Sequence, residues 1–216
     1  MFGGETLLAY KVFDGNVERY DAWYLRHEEI FKCEAKLLRS LKLRGEGLSI
    51  GVGTGILDVE AGVRIGIDPS INMLKLARKR GVETILSVGE RLPFRSGIFD
   101  YVLMSVTLCF LTAPKPVLKE AYRVLKAEGE IAVCFIPRDS AWGEAYMEKA
   151  RRGHPFYKHA RFYTLEEVKR LLEECSFKVT TVKGTLSYPP NVKPKIEEPA
   201  EDVEGKGFIC VKAVKV

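Results

Sequence analysis

The sequence predicts an α/β fold, a mostly parallel sheet with helices on both faces. Three observations carry that expectation. Short apolar runs alternate with amphipathic stretches through most of the 216 residues. A glycine-rich turn, Gly51-Val52-Gly53-Thr54-Gly55, follows the first of these runs directly. The run from Phe99 to Val106 is apolar almost throughout, as a strand covered on both faces must be.

The elements follow in order. From about Tyr20 to Leu41 the pattern is helical, with Ile30, Leu37, Leu38 and Leu41 on one face and Glu28, Lys32, Lys36 and Arg39 elsewhere. Gly45 and Gly47 end it. Leu48 to Ile50 enters the glycine turn as a first strand, and Val63 to Asp68 is a second that ends in an acid. The stretch between Gly55 and Asp68 has room for a helix of only one or two turns. Ser70 caps a helix that Gly81 ends, with Met73, Leu74 and Ala77 on one face. Thr84 to Val88 and Phe99 to Val106 are the third and fourth strands. Pro116 to Lys126 is a helix whose buried stripe is Val117, Leu118, Ala121, Val124 and Leu125. Glu128-Gly129 turns the chain into a fifth strand, Glu130 to Ile136. Thr164-Leu165-Glu166-Glu167 is a capping box opening a helix to about Cys175. Phe177 to Tyr188 and Phe208 to Val216 are two last strands; with no helix between them they pair antiparallel. Residues 189–206, rich in proline and charge, read as a mobile surface loop.

Composition narrows the function. Apolar residues make up 46% and charged residues 29%, which suits one solvated domain of this length. That domain divides into a helical cap (1–45), a cofactor-binding half (46–136) and a substrate-side half (137–216). No apolar run is long enough to cross a bilayer, so no membrane association is expected. Met1 to Tyr10 lacks a basic start and a cleavage-like site, which points to the cytoplasm. A net charge of +5, with basic residues spread among acidic ones, does not indicate nucleic acid. The five cysteines, Cys33, Cys109, Cys134, Cys175 and Cys210, have no metal-ligand spacing and read as reduced core residues.

In an open parallel sheet, ligands bind beyond the carboxyl ends of the strands. Gly51, Gly53 and Gly55 sit at one such end, where glycine lets the chain turn sharply and lets a ligand approach the backbone. Asp68, at the next strand's end, can accept from two ribose hydroxyls. Nicotinamide enzymes use similar parts, but the spacing here is Gly-x-Gly-x-Gly, and Ile56 stands at the third glycine position of the dinucleotide fingerprint.

Leu48-Ser49-Ile50-Gly51-Val52-Gly53-Thr54-Gly55 resembles the first motif of class I S-adenosylmethionine-dependent methyltransferases. Gly66-Ile67-Asp68-Pro69-Ser70 with Met73 and Leu74 resembles the second. Glu90-Arg91-Leu92-Pro93-Phe94 followed by Phe99-Asp100-Tyr101-Val102, and Leu118 to Lys126 with Gly129-Glu130, resemble the later ones. The branch is similar to quinone-biosynthesis C-methyltransferases. The resemblance implies a Rossmann-like, seven-stranded sheet whose antiparallel last strand is inserted between the fifth and sixth. It also implies S-adenosylmethionine as cofactor, with Gly51, Val52 and Gly53 beside its methionine part, Asp68 and Pro69 at the ribose, and Met73, Gly89 and Glu90 at the adenine. Ser105 lies at the methionine end, and Tyr20 reaches the methionine carboxylate from a leading segment, Phe13-Asp14 to Tyr20-Asp21, that folds over the cofactor. Two departures stand out. Ser49 replaces the family's acid before the first glycine, and Val88 replaces its Asp before the adenine pair; both imply a weaker grip.

Methyl transfer from a sulfonium is an in-line displacement helped chiefly by placement, and it requires a base only for a protonated acceptor. No catalytic residue and no metal is assigned. The expected partner is a small molecule, anionic or aromatic. Candidates to line its pocket are Thr107, Cys109, Arg138, Trp142 and Tyr146. The basic, aromatic stretch Arg151 to Tyr163 is either a lid or a solvated face with its aromatics inward. His27, His154 and His159 read as structural, and Cys134 as core. The exit Met104-Ser105-Val106-Thr107 lacks the Asn/Asp-Pro-Pro-aromatic signature of enzymes that methylate base amino groups.

Overall fold

A computed structural model describes residues 10–216. Residues 1–9, the start of the predicted cap and the basis of the leader reading, lie outside the described residues. The strands are β1 (Gly47–Ile50), β2 (Ile65–Asp68), β3 (Glu83–Leu86), β4 (Phe99–Ser105), β5 (Leu125–Phe135), β6 (Phe177–Thr185) and β7 (Phe208–Lys215). The helices are α1 (Val17–Arg26), α2 (Glu28–Ser40), α3 (Ile71–Lys79), α4 (Pro114–Val124), α5 (Ala141–Arg151) and α6 (Leu165–Glu173). The sheet runs β3-β2-β1-β4-β5-β7-β6. All neighbours are parallel except β7, which is antiparallel to both β5 and β6. This is the seven-stranded, Rossmann-like arrangement expected, with β7 inserted where predicted.

Alternation along the strands builds two cores. On β4, Val102 and Met104 face a layer that includes Val117, Leu118 and Ala121 of α4 and Val168 and Leu172 of α6. Tyr101 and Leu103 face the other layer, with Ile30, Leu37 and Leu38 of α2 and Trp142 and Tyr146 of α5. Two predicted caps are present. The Ser70 hydroxyl accepts from Met73 N at 3.1 Å, and Thr164 and Glu167 form the reciprocal box.

Four expectations change. The single helix predicted from Tyr20 to Leu41 is two helices, broken at His27, whose backbone leaves helical geometry (φ −124°, ψ 54°). Tyr20 and Tyr24 line the cavity from the first helix, and Ile30, Leu37 and Leu38 are buried from the second. The break therefore lets α1 face the strand ends while α2 packs on the sheet. The span before β2 holds only a 3-10 turn, Asp58–Ala61. Helix α5, which has weak amphipathicity and Gly143 in its first turn, gave no sequence signal; Ser140 caps it through Gly143 N at 3.0 Å. The loop 189–206 is tied down rather than free. Glu197 accepts from Ser187 N at 2.8 Å and its own N–H meets the Cys33 sulfur, while Gly184 and Ala200 form a bridge.

The cysteine expectation is also corrected. Cys134 and Cys210 form a disulfide across 76 residues of sequence. Inserting β7 beside β5 sets these two residues directly opposite, an adjacency that linear spacing does not reveal. Cys33 and Cys175 are buried and free, and Cys109 is half-buried and free. Thiol titration in denaturant should therefore find three reactive groups before reduction, Cys33, Cys109 and Cys175, and all five cysteines of the sequence after it. Five before reduction would contradict the pairing.

Candidate active site

β1 lies between β2 and β4, so strand order reverses at its carboxyl end and opens a crevice there. Gly51 and Gly53 make the turn with φ of 73° and 53°, a region that favours glycine. A Cβ on Gly51 would meet the Thr107 side chain at 2.4 Å, whereas one on Gly53 would meet no protein atom. The Thr107 hydroxyl donates to the Gly51 carbonyl at 3.2 Å, which locks the exit of β4 under that of β1. Val106, just before it, holds φ 55°. A β-branched residue in that region stores on the order of 1–3 kcal/mol of strain.

Asp68 joins the exits of β1 and β2. Its Oδ2 accepts the Gly53 N–H at 3.0 Å and its Oδ1 the Ser70 N–H at 2.8 Å. Each oxygen retains a lone pair for a ligand hydroxyl. Burial pushes the Asp68 carboxyl up to about 6, against the opposing pull of these two N–H groups.

The leading segment is pinned at both ends of α3. The Asp14 carboxylate accepts from Ser70 Oγ at 2.6 Å and from Asn72 N at 3.0 Å. Burial raises the Asp14 carboxyl, but these bonds outweigh it and hold the group below its ordinary range. Asp21 pairs with Arg80 at 2.6 Å, and Arg80 also donates to the Thr54 carbonyl at 2.9 Å.

These contacts enclose a cavity of about 420 Å³, within the range of small-ligand sites. Gly51, Gly53, Asp68 and Pro69 line it from the two strand exits, Met73 from α3, Gly89 and Glu90 from beyond β3, Ser105 from the end of β4, and Tyr20 from α1. Val52 does not. It is buried with Leu74, Ala77 and Val82, because successive side chains at the turn point opposite ways. The residues fit an adenosyl sulfonium on two observations: the free lone pairs of Asp68, and the Ser105 hydroxyl, buried at the cavity wall with no partner among the described residues.

The rest of the cavity is aromatic. Phe13 stacks on Phe156 at 4.8 Å and meets Phe110 edge-on at 4.7 Å, while Tyr146 and Tyr157 lie 4.4 Å apart. The stretch Arg151 to Tyr163 thus divides. Arg151 and Arg152 are exposed and paired with Glu148, whereas His154, Phe156 and Tyr157 line the cavity. Of the other candidates, Thr107 and Tyr146 also line it. Arg138 pairs with Glu167 instead, and the Trp142 indole donates to the Tyr188 carbonyl at 2.6 Å. Cys109 is off the cavity, its thiol pushed up to about 12 by burial. His27 stacks on Trp23, and His159 stays outside.

Two carboxylates gave no sequence signal, because an acid in a helix reads as surface. Asp58 is buried and accepts from Ser49 Oγ at 2.6 Å. A carboxylate thus stands beside the position where the family's acid is missing, with burial pushing it up to about 7. Glu34, on the buried face of α2, is 5% exposed, lines the cavity and is pushed up to about 8 by burial. Among the described residues no cluster of His, Cys, Asp and Glu could hold a metal, and no helix is long and apolar enough to cross a membrane.

A glycine turn and an acid joined at the switch point of a sheet with one inserted antiparallel strand define a nucleotide-type binding fold of the methyltransferase class. The comparisons with known proteins place the chain within it. The family described as Methyltransferase domain matches residues 48–133. A Thermotoga maritima crystal structure, described as a SAM-dependent methyltransferase and possible histamine N-methyltransferase, superposes with a TM-score of 0.91 at 35% identity, covering 96% of this chain and 100% of that one. An uncharacterized protein of Methanocaldococcus jannaschii is 39% identical over 205 residues, covering 95% of this chain and 99% of its own. More distantly, a demethylmenaquinone methyltransferase of Mycolicibacterium paratuberculosis is 28% identical over 67% of each chain. This chain belongs to the class I S-adenosylmethionine-dependent methyltransferases.

Burial of Glu34 has a consequence for stability. Its carboxyl is raised in the folded state from an ordinary value of 4.5 to about 8. The native state therefore favours the protonated form, and stability is lost as pH rises through that interval. Glu34→Gln removes the titration. The unfolding free energy of that variant, from denaturant titration, should exceed the wild type's by more at about pH 9 than at about pH 5, the two gaps differing by on the order of 4 kcal/mol. An equal gap at both pH values would refute the burial argument.

Proposed function

We propose that this enzyme methylates a small molecule held in the aromatic half of the cavity. The observation that carries the proposal is the division of one enclosed space. Its glycine-turn side, with Gly51, Gly53, Asp68 and Met73, suits an adenosyl group. Its other side is walled by Tyr20, Tyr24, Phe13, Phe156, Tyr146 and Tyr157. Tyr20 and Tyr24 of α1 and Phe156 and Tyr157 border the space, which suits a small acceptor and is in keeping with the missing base-methylation signature after β4.

The roles of the residues follow from their chemistry. Asp68 holds the ribose hydroxyls, and Gly51 and Gly53 let the methionine part approach the backbone. Bound S-adenosylmethionine supplies an electrophilic methyl group. Ser105 and Thr107 form the floor at the end of β4, and the aromatic walls exclude water and orient the acceptor. Relatives described by such different acceptors as histamine and demethylmenaquinone support a shared cofactor half beside a variable acceptor half.

Titration calorimetry tests the reading. S-adenosylmethionine should bind and NAD should not. Asp68→Asn, which keeps the shape and loses the charge, should weaken S-adenosylmethionine by about ten- to a hundredfold, the worth of hydrogen bonds to a charged acceptor. NAD binding without S-adenosylmethionine binding would end the proposal. Transfer of labelled methyl groups to protein or RNA, with none to small molecules, would end its acceptor half.

A further inference from the structure

Glu34 is a buried lining group that the cofactor geometry leaves without a task. Its Oε2 is buried and, among the described residues, has no hydrogen-bond partner. Burial raises its carboxyl, and among the described residues no cation or donor offsets that rise. Empty, the group is therefore held protonated at neutral pH; ionised, it is costly and calls for a cation from outside the chain, whose arrival favours the carboxylate.

Its surroundings indicate which partner. Tyr20, Tyr24, Tyr146 and Tyr157 line the same cavity. Burial chiefly, and then the Glu34 charge among others, disfavours ionisation of all four phenols, so all four stand within electrostatic reach of the carboxylate. Tyr20 and Tyr24 meet edge-on at 5.6 Å. Aromatic faces around a buried negative charge attract an organic cation through the ring quadrupole and the charge together. Charge in the lining is segregated: the cations Arg19, Arg26 and Lys149 are exposed, whereas the acids Asp68 and Glu90 are half-buried and Glu34 is buried. An anionic head group suits the rim, and a cation suits the interior.

We propose that Glu34 and these four tyrosines form the acceptor subsite, that it selects a small protonated amine, and that Glu34 Oε2 takes the amine's proton. The proposal rests on the methyltransferase reading above. In the step, an N–H bond breaks and its proton forms an O–H bond on Oε2. The freed nitrogen pair then forms the N–CH3 bond as the sulfur–methyl bond breaks, and that bond's electron pair goes to sulfur, giving S-adenosylhomocysteine.

The test uses the full chain saturated with S-adenosylhomocysteine and two probes of equal shape, choline and its neutral carbon isostere 3,3-dimethylbutan-1-ol. Choline should bind at least about tenfold more tightly. Glu34→Gln should abolish that preference and leave S-adenosylhomocysteine affinity within about threefold, with Glu34→Asp restoring part of the preference. In a labelled-methyl panel, primary amines should accept and carboxylates and phenols should not. Equal binding of the two probes, no binding of choline, or transfer to phenols or carboxylates alone would overturn the proposal. A tenfold loss of S-adenosylhomocysteine affinity in Glu34→Gln would also overturn it, since Glu34 would then hold the amino group of the cofactor. Failure of the wild type to bind S-adenosylhomocysteine would instead remove the methyltransferase reading itself.

Discussion

The site depends on one carboxylate that bonds two backbone amides from different segments. Asp68 ties the glycine turn after β1 to the first turn of α3 through Gly53 N and Ser70 N. Without that tie, a loop whose glycines occupy left-handed geometry would have many conformations open to it. With it, the loop is fixed at the cavity edge while both oxygens keep acceptor capacity. The same group thus organises the cradle and presents the surface that a ribose requires, and its partial desolvation strengthens both roles.

A second layer of constraint sets α1 over this cradle. Asp14 reaches the N-terminal end of α3, where exposed amides and the helix dipole favour an anion, and Asp21 reaches Arg80 just past its C-terminal end. The leading segment is therefore held by polar contacts to the very helix that follows Asp68, while its aromatic side chains close the cavity from above. The break at His27 makes this possible by separating the helix that roofs the site from the helix that packs on the sheet.

Departures from the family pattern are less damaging in three dimensions than they look in one. Ser49 lacks a charge, yet its hydroxyl donates to Asp58, so an acid occupies the same neighbourhood from the 3-10 turn. Glu34 on α2 is a second buried acid, and its proposed place is the acceptor subsite rather than the neighbourhood of Ser49. Both are buried, and both raise the energy of the ligand-free protein at neutral pH and above, the usual condition of groups placed for binding rather than for stability.

The sequence by itself determined the alternation of strands and helices, the position of the glycine turn, Asp68 as its partner, and the caps at Ser70 and Thr164, because each depends on residues close in the chain or on a fixed period. It also indicated nearly all of the cavity wall on the cofactor side, with Val52 misplaced because adjacent side chains at a turn diverge. Only the tertiary structure decided the rest. The Cys134–Cys210 pair and the gathering of Glu34, Tyr146 and Tyr157 at one cavity join segments far apart in sequence. Each arises from where β7 inserts and how α2 crosses the sheet, and no local pattern encodes which distant side chains those placements bring face to face.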